Sequence, residues 1–423
     1  MAVIEGRNAT RVYCIVVSKL QTFKEVAQPK FGEGETKVNI KTTLKASVAT
    51  AALFAVAPVV SSSPADAGNW AGANDNSITM SGRIVRSLLY VDDGENSHLF
   101  NVDGASDNSR VRWVISGQMT ENLEVGGLIE MNIPNSNPAS RATFDNGTAG
   151  GLEESFSSSS SNGDSAWGIR HTKVDFKHKA MGTLSIGQSS VASDGAYEQH
   201  LGGLAHVGVG GCDYACGVEF TNSATGAQGG QTVGAHTSSY DGGRDDRIRY
   251  DTPTFSGFKL AASYMHNGTA DVAVYYSGKF SGIQLNAAGA YRHQKAGSTT
   301  IDNIMGGSVA AKHDSGLNAS FGYSVEDSTD QQSFDGEHWH VAVGYDATLT
   351  DLGSTSFTVV YGENEDSDHP QGDEASYLEV GVNQNLPAGV DVFAFYSNFD
   401  YDDNTAINYD DVSMFIAGTR IRF

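Results

Sequence analysis

Cys212 and Cys216, with three residues between them, are the pair in this chain best placed for covalent chemistry. In an oxidising compartment that spacing favours a small loop-clamping disulfide, with free thiols as the other outcome. Zinc would need two further ligands, and His206 alone does not complete the set. Two segments are dense in carboxylates, Glu363–Glu374 (ENEDSDHPQGDE) and Asp400–Asp411 (DYDDNTAINYDD). Such loops can bind divalent cations, but no spacing matches an EF-hand loop, and a solvated acidic surface is the plainer reading. No metal site is assigned, and no cofactor beyond such a cation is expected. Hydrolysis needs a nucleophile, a base and an oxyanion hole held together. Ser189 ahead of His200 lacks a G-x-S-x-G turn or any comparable frame, so no catalytic residue is assigned and an enzyme is not expected. The glycine-rich stretches have no helix after them, which argues against a nucleotide site.

The elements that must position these residues carry an export signal ahead of them. Lys37, Lys41 and Lys45 form a basic region, Ala46–Val60 a short apolar core, and Ala65-Asp66-Ala67 the small residues of a cleavage site. Cleavage after Ala67 is expected, so residues 37–67 read as a signal peptide and 68–423 as the mature domain. Residues 1–36 do not fit in front of a signal, and a true start near Val38 would account for them. The net charge of −23 argues against nucleic acid as a partner. No run approaches the ~20 apolar residues that a transmembrane helix needs.

After Gly68 the chain alternates with period two, the mark of β-strands. In 110–119, Val111, Trp113 and Ile115 alternate with Arg110, Arg112 and Ser116; in 338–346, Trp339, Val341 and Val343 alternate with His338 and His340. Arg247 and Arg249 share the polar face of their segment. Sixteen strands are expected, near 77–91, 109–120, 123–132, 166–178, 182–189, 244–252, 257–266, 271–280, 283–293, 302–313, 316–325, 337–349, 354–362, 374–385, 388–398 and 411–423. The parity breaks in 166–178, where Lys173 and Asp175 share a face with Trp167 and Ile169, and a bulge there would explain it. Short turns such as Glu121-Asn122 and Ser281-Gly282 alternate with long polar stretches, among them 135–165 and 189–243. That asymmetry, with Tyr and Phe near strand ends on the apolar face, points to an all-β transmembrane antiparallel barrel with short periplasmic turns and long extracellular loops.

The most specific segments are Ile78–Arg83 (ITMSGR), Arg110–Gly117 (RVRWVISG), Gly182–Gln188 (GTLSIGQ), Arg247–Gly257 (RIRYDTPTFSG) and Gly418–Phe423 (GTRIRF). In this order and spacing, residues 77–423 resemble the Gram-negative general porins. The resemblance implies a homotrimer of sixteen-stranded barrels in the outer membrane, with one loop folded into the pore. It further implies a last strand whose Phe415, Ile421 and terminal Phe423 meet lipid and signal to the outer-membrane assembly machinery. By position Arg83, Arg112 and Arg170 match basic wall residues of that family, joined by Arg247 and Arg249. Asp194, Glu198, Asp213 and Glu219 are the acidic candidates on the opposing loop, and the C-x3-C insert and glycine-rich tail of that loop depart from the family pattern. Opposed charges across a water-filled neck set a transverse field that orders ions and dipolar solutes. The expected function is passive diffusion of small polar solutes and ions. A substrate-specific channel, or a secreted or surface β-rich adhesin, is the alternative. Selectivity is not read from the net charge, since most of the acids fall in loops or turns and a few residues at the neck decide conduction; a weak cation preference is the expectation.

Overall fold

The computed structural model of the protein describes residues 68–71, 76–104, 107–133, 142–145, 153–156, 168–203, 211–295, 301–328, 335–367 and 372–423. The expected signal at 37–67, the segment 1–36, Trp167, His206 and most of 135–165 lie outside the described residues.

Sixteen strands close the barrel: β1 (Ser77–Asp92), β2 (Arg110–Thr120), β3 (Leu123–Asn132), β4 (Gly168–His178), β5 (Gly182–Ser190), β6 (Arg244–Asp251), β7 (Phe258–Met265), β8 (Ala270–Phe280), β9 (Ile283–His293), β10 (Ile301–His313), β11 (Leu317–Ser328), β12 (Gly336–Thr350), β13 (Gly353–Glu365), β14 (Glu374–Leu386), β15 (Val390–Asp402) and β16 (Val412–Arg422). Each pairs antiparallel with its neighbours in sequence, and β16 returns to β1 with Ile421 opposite Ile84. Closure leaves no unpaired edge, the condition for a sheet that crosses a membrane. Two short segments, Gly68–Ala71 and Ser97–Val102, add to β1 at its two ends. The expected sixteen segments all appear, their ends within a few residues of the positions read from alternation.

Short turns, most of two or three residues, set the register at one end. Ser281 and Gly282 both adopt positive φ (50° and 79°) between β8 and β9. That conformation suits the twist of a tight hairpin and is easiest for glycine. The turn at Glu121-Asn122 places Arg112 opposite Glu130. The period of two then sends one set of side chains to lipid and the other to the lumen. Ile248, Leu260, Val272 and Val343 point outward, all at least half exposed on the isolated chain. Tyr250, Tyr264, Tyr291 and Tyr345 are also exposed on that face. On β16, Ile421 is exposed and Phe415 half-buried, whereas Met414, Ile416 and Arg420 are buried inside. Phe423 exchanges two backbone hydrogen bonds with Gly82, at 2.7 and 3.0 Å.

The parity break in β4 is a bulge. Glu130 pairs with His171 and Met131 with Ile169, so Arg170 has no partner across the strand. An extra residue of this kind turns two consecutive side chains to one face. Here Arg170 and His171 both reach Glu130, while Ile169 stays exposed.

Candidate functional site

Between β5 and β6, residues 191–203 and 211–243 run inside the barrel, and the first of these stretches is tied to successive strands. Ala192 N donates to Ser263 Oγ on β7 (2.8 Å), and Ser193 N and Oγ donate to Asp271 Oδ2 on β8 (2.9 and 2.7 Å). Gln199 N donates to Ser308 Oγ on β10 (2.9 Å), and Gly203 N to Asp346 Oδ1 on β12 (3.2 Å). The loop thus follows the inner wall from β7 to β12. Its distal part then seats on an apolar surface. Tyr214 packs against Phe395 of β15 (ring centroids 5.1 Å), and Phe220 stacks on Tyr401 (5.1 Å). Val218 and Val233 complete a buried cluster with Val85 and Leu89 of β1 and Met414 and Ile416 of β16. A hairpin of Glu219–Asn222 and Ala227–Thr232 adds Tyr409–Asp410 of the last loop as a third strand. Cys212 and Cys216 form a disulfide at the base of this part, with Cα atoms 5.7 Å apart.

The wall left uncovered belongs to β2–β7, and many of its inward side chains are charged. Glu130 Oε1 accepts from Arg110 Nη1 (2.8 Å) and Arg170 Nε (3.0 Å), and Arg112 Nε lies 3.9 Å from Oε2. Arg249 grips Asp251 with Nε and Nη2 (2.9 and 2.8 Å) and bonds the carbonyl of Val191 through Nη1 at 2.5 Å. Arg247 Nε donates to the carbonyl of Ser190 (3.1 Å). Both arginines therefore hold the stem of the inner loop. Arg83 sits elsewhere, paired with Asp107 in the loop after β1, where Arg110 and Arg420 also converge. Beneath the loop stem lies a cavity of about 510 Å³, lined by Arg112, Lys173, Lys177, Arg247, Arg249 and Lys259 against Glu130, Asp175 and Asp251.

The loop carboxylates divide into two groups. Asp194 and Glu198 lie near Asp213 and a fourth acid, Asp241. Asp241 accepts from the backbone amides of Gly195 (2.6 Å) and Tyr197 (3.1 Å), and Glu198 accepts from Ser239 Oγ. Burial raises all three of Asp194, Glu198 and Asp241 above the ordinary carboxylate range, Asp241 to about 7. Glu219 lies apart in the hairpin and accepts from Gly230 N (2.9 Å). On the acidic surface loops, Asp402 and Asp403 accept from the backbone amides of Asn404 and Thr405 (2.7 and 3.0 Å). Among the described residues no three or more His, Cys, Asp or Glu side chains converge as a metal site would require.

Glu130, Asp107, Asp241 and the lysines of β4 and β7 were not singled out by sequence. Glu130 was within reach, since a two-residue turn at Glu121-Asn122 fixes its register against Arg112. The inner apolar seat also had a signal. In β15 (VDVFAFYSNFDYD) Phe393, Phe395 and Phe399 occupy one face and Val392, Ala394 and Tyr396 the other, so the inward face cannot meet open water alone.

The profile of the Gram-negative porin family matches residues 49–404. No curated protein sequence matches the chain. Among solved structures, the fold is similar to that of the anion-selective porin from Comamonas acidovorans, at 16% identity over 82% of this chain and 100% of that one, with a TM-score of 0.53. It is also similar to a loop L8 deletion mutant of OmpT, an outer membrane protein of Vibrio cholerae (15% identity, 82% and 99% coverage, TM-score 0.52). The outer membrane channel DcaP of Acinetobacter baumannii matches at 11% identity, 84% and 100% coverage, and a TM-score of 0.53. At these identities the likeness establishes the fold.

Proposed function

The chain belongs to the Gram-negative porin family, and we propose that its conduction path runs between the inner loop and the bare wall of β2–β7. The protein is an outer-membrane channel for passive diffusion of small hydrophilic solutes and ions. The observation that carries the finer reading is the distribution of cover. The inner loop is bonded to Ser263 of β7 and to β8, β10 and β12 and packed on β15, β16 and β1, while the charged faces of β2–β6 and the Lys259 end of β7 stay open. Water and ions need polar surface, so the neck lies where that surface is uncovered. In this reading Arg112, Arg170, Arg247 and Arg249 form its basic side, and Asp194, Glu198 and Asp213 face it from the loop. Arg83 braces the barrel beside the neck through Asp107, and Glu219 belongs to the hairpin.

Three further features are part of the proposal. The barrel assembles as a homotrimer, after cleavage behind Ala67 and recognition of the β16 face by the assembly machinery. Its outer face meets lipid and lipopolysaccharide, whose phosphates would complete the shell of divalent cations at the acidic loops. It catalyses no reaction. Unitary current from refolded protein in a planar bilayer tests the path. Ohmic steps closing in threes are expected, and an Arg112→Trp variant should lower each step without altering the count. A folded, inserted protein that gives no steps would overturn the reading.

A further inference from the structure

Resting on that conduction path, we propose that the cavity beneath the loop stem binds small oxyanions (carboxylate, sulfate, phosphate), so that the channel favours anions although the chain carries a net charge of −23. Six lysines and arginines line the cavity against three acids. Those acids are already engaged. Asp251 takes both forks of Arg249, Lys173 Nζ is 2.9 Å from Asp175, and Glu130 takes Arg110 and Arg170. Three cations keep donors to spare. Arg112 has a side chain 47% exposed, and its nearest carboxylate is 3.9 Å away. Lys259 Nζ stands 3.4 Å from Asp251, whose oxygens are both committed to Arg249. Arg247 is only 5% exposed, and its Nη1 has no hydrogen-bond partner although the side chain lines the cavity.

A buried guanidinium nitrogen without an acceptor costs free energy that an arriving oxygen would recover. An oxyanion has the several acceptor oxygens needed to serve Arg247 and a second cation together; chloride has one centre. The surface acids do not cancel this field. The acidic segments 363–374 and 400–411 lie between β13 and β14 and between β15 and β16, strands that do not line the cavity, and charges are screened over about 8 Å at physiological salt. On the inner loop, Asp194, Glu198 and Asp241 are half-buried, and their desolvation favours the neutral form. Local charge at the neck, and not the total, therefore decides selectivity.

The test uses the full refolded channel in a planar bilayer under a potassium chloride gradient, with sodium phosphate or sodium acetate then added to one side. A reversal potential of chloride sign is expected, with chloride current falling saturably as phosphate or acetate rises. The double variant Arg112→Gln, Lys259→Gln leaves the loop-stem bonds of Arg247 and Arg249 intact. It should shift the permeability ratio several-fold towards potassium and relieve the block, with the thermal midpoint retained. A reversal potential of potassium sign in the unaltered channel would overturn the proposal. So would chloride selectivity with no saturable effect of either oxyanion, which would leave a charged pore without a site. Absence of unitary current would instead defeat the conduction path beneath it.

Discussion

The two halves of the lumen are built from the same strand geometry and filled in opposite ways. From β15 through β16 to β1, the inward positions hold Phe393, Phe395, Phe399, Met414, Ile416, Val85 and Leu89, all buried under the inner loop. From β2 to β7 they hold Arg112, Glu130, Lys173, Asp175, Arg247 and Lys259 around an open cavity. The first half behaves as the core of a soluble protein, stabilised by about 1.5–3 kcal/mol for each large apolar side chain removed from water. The second is held by paired charges whose hydration is retained on one side. The difference shows how one barrel supports both a fixed loop and a water-filled path. The loop is anchored where the wall is apolar, and solute passes where it is charged.

The strongest way to break this division is to put a charge into the apolar half. Val218 is fully buried among Tyr214, Phe220 and Val233. Val218→Asp would leave an unpaired carboxylate there, at a cost of more than ~4 kcal/mol. The loop should leave its seat, and unitary conductance should rise because the filled half admits water. The matching change in the charged half is Lys177→Ala, which removes a partly exposed pair with Glu124 (2.8 Å). That pair should be worth no more than ~1 kcal/mol, and conductance should change little. Equal effects on conductance would show that the halves are not distinct.

Much of the barrel was legible because alternation is a direct consequence of strand geometry. The sixteen segments, the short turns and the outward set on β16 follow from period two and from glycine at the turns. The site was legible only in part. Arg247 and Arg249 fall on the inward face by parity, but that they hold the loop stem through the carbonyls of Ser190 and Val191 is a tertiary fact. Arg170 depended on a bulge whose position no local pattern fixes, because either of two residues could have been the extra one. The path of 191–243 was not legible either. Its anchors Ser263, Asp271, Ser308 and Asp346 are scattered over four strands, and only the doubly apolar faces of β1 and β15 hint at where it ends.

A smaller effect is expected at the disulfide, which closes a ring of five residues at the start of the apolar seat. Loop-closure entropy for so short a ring gives about 2 kcal/mol. Cys212→Ser with Cys216→Ser should therefore lower the thermal midpoint slightly and leave the loop seated, since Tyr214, Val218 and Phe220 still pack. Open-channel noise should increase while mean conductance holds. A conductance as large as that of Val218→Asp would mean that the covalent clamp, and not apolar burial, fixes the loop.

The smallest effect concerns pH, and it sharpens the boundary between the halves. Asp241 ties the two arms of the inner loop together through the amides of Gly195 and Tyr197, with its carboxyl raised to about 7 by burial and, as a smaller cause, by Asp194. A carboxyl whose folded value exceeds the ordinary 3.8 binds its proton more tightly when packed. Its contribution to loop packing is therefore full below pH 3.8 and is lost as pH rises towards 7. Asp194 and Glu198, raised in the same direction, act with it. Open-channel noise in the unaltered channel should be lower at pH 5 than at pH 8. Asp241→Asn keeps one acceptor for the amides of Gly195 and Tyr197 and removes the titrating proton. Its noise should depend much less on pH, with mean conductance close to that of the parent. Noise that rises towards acid in the parent, or an unchanged pH response in the variant, would place the origin of the loop's movement away from this carboxylate cluster.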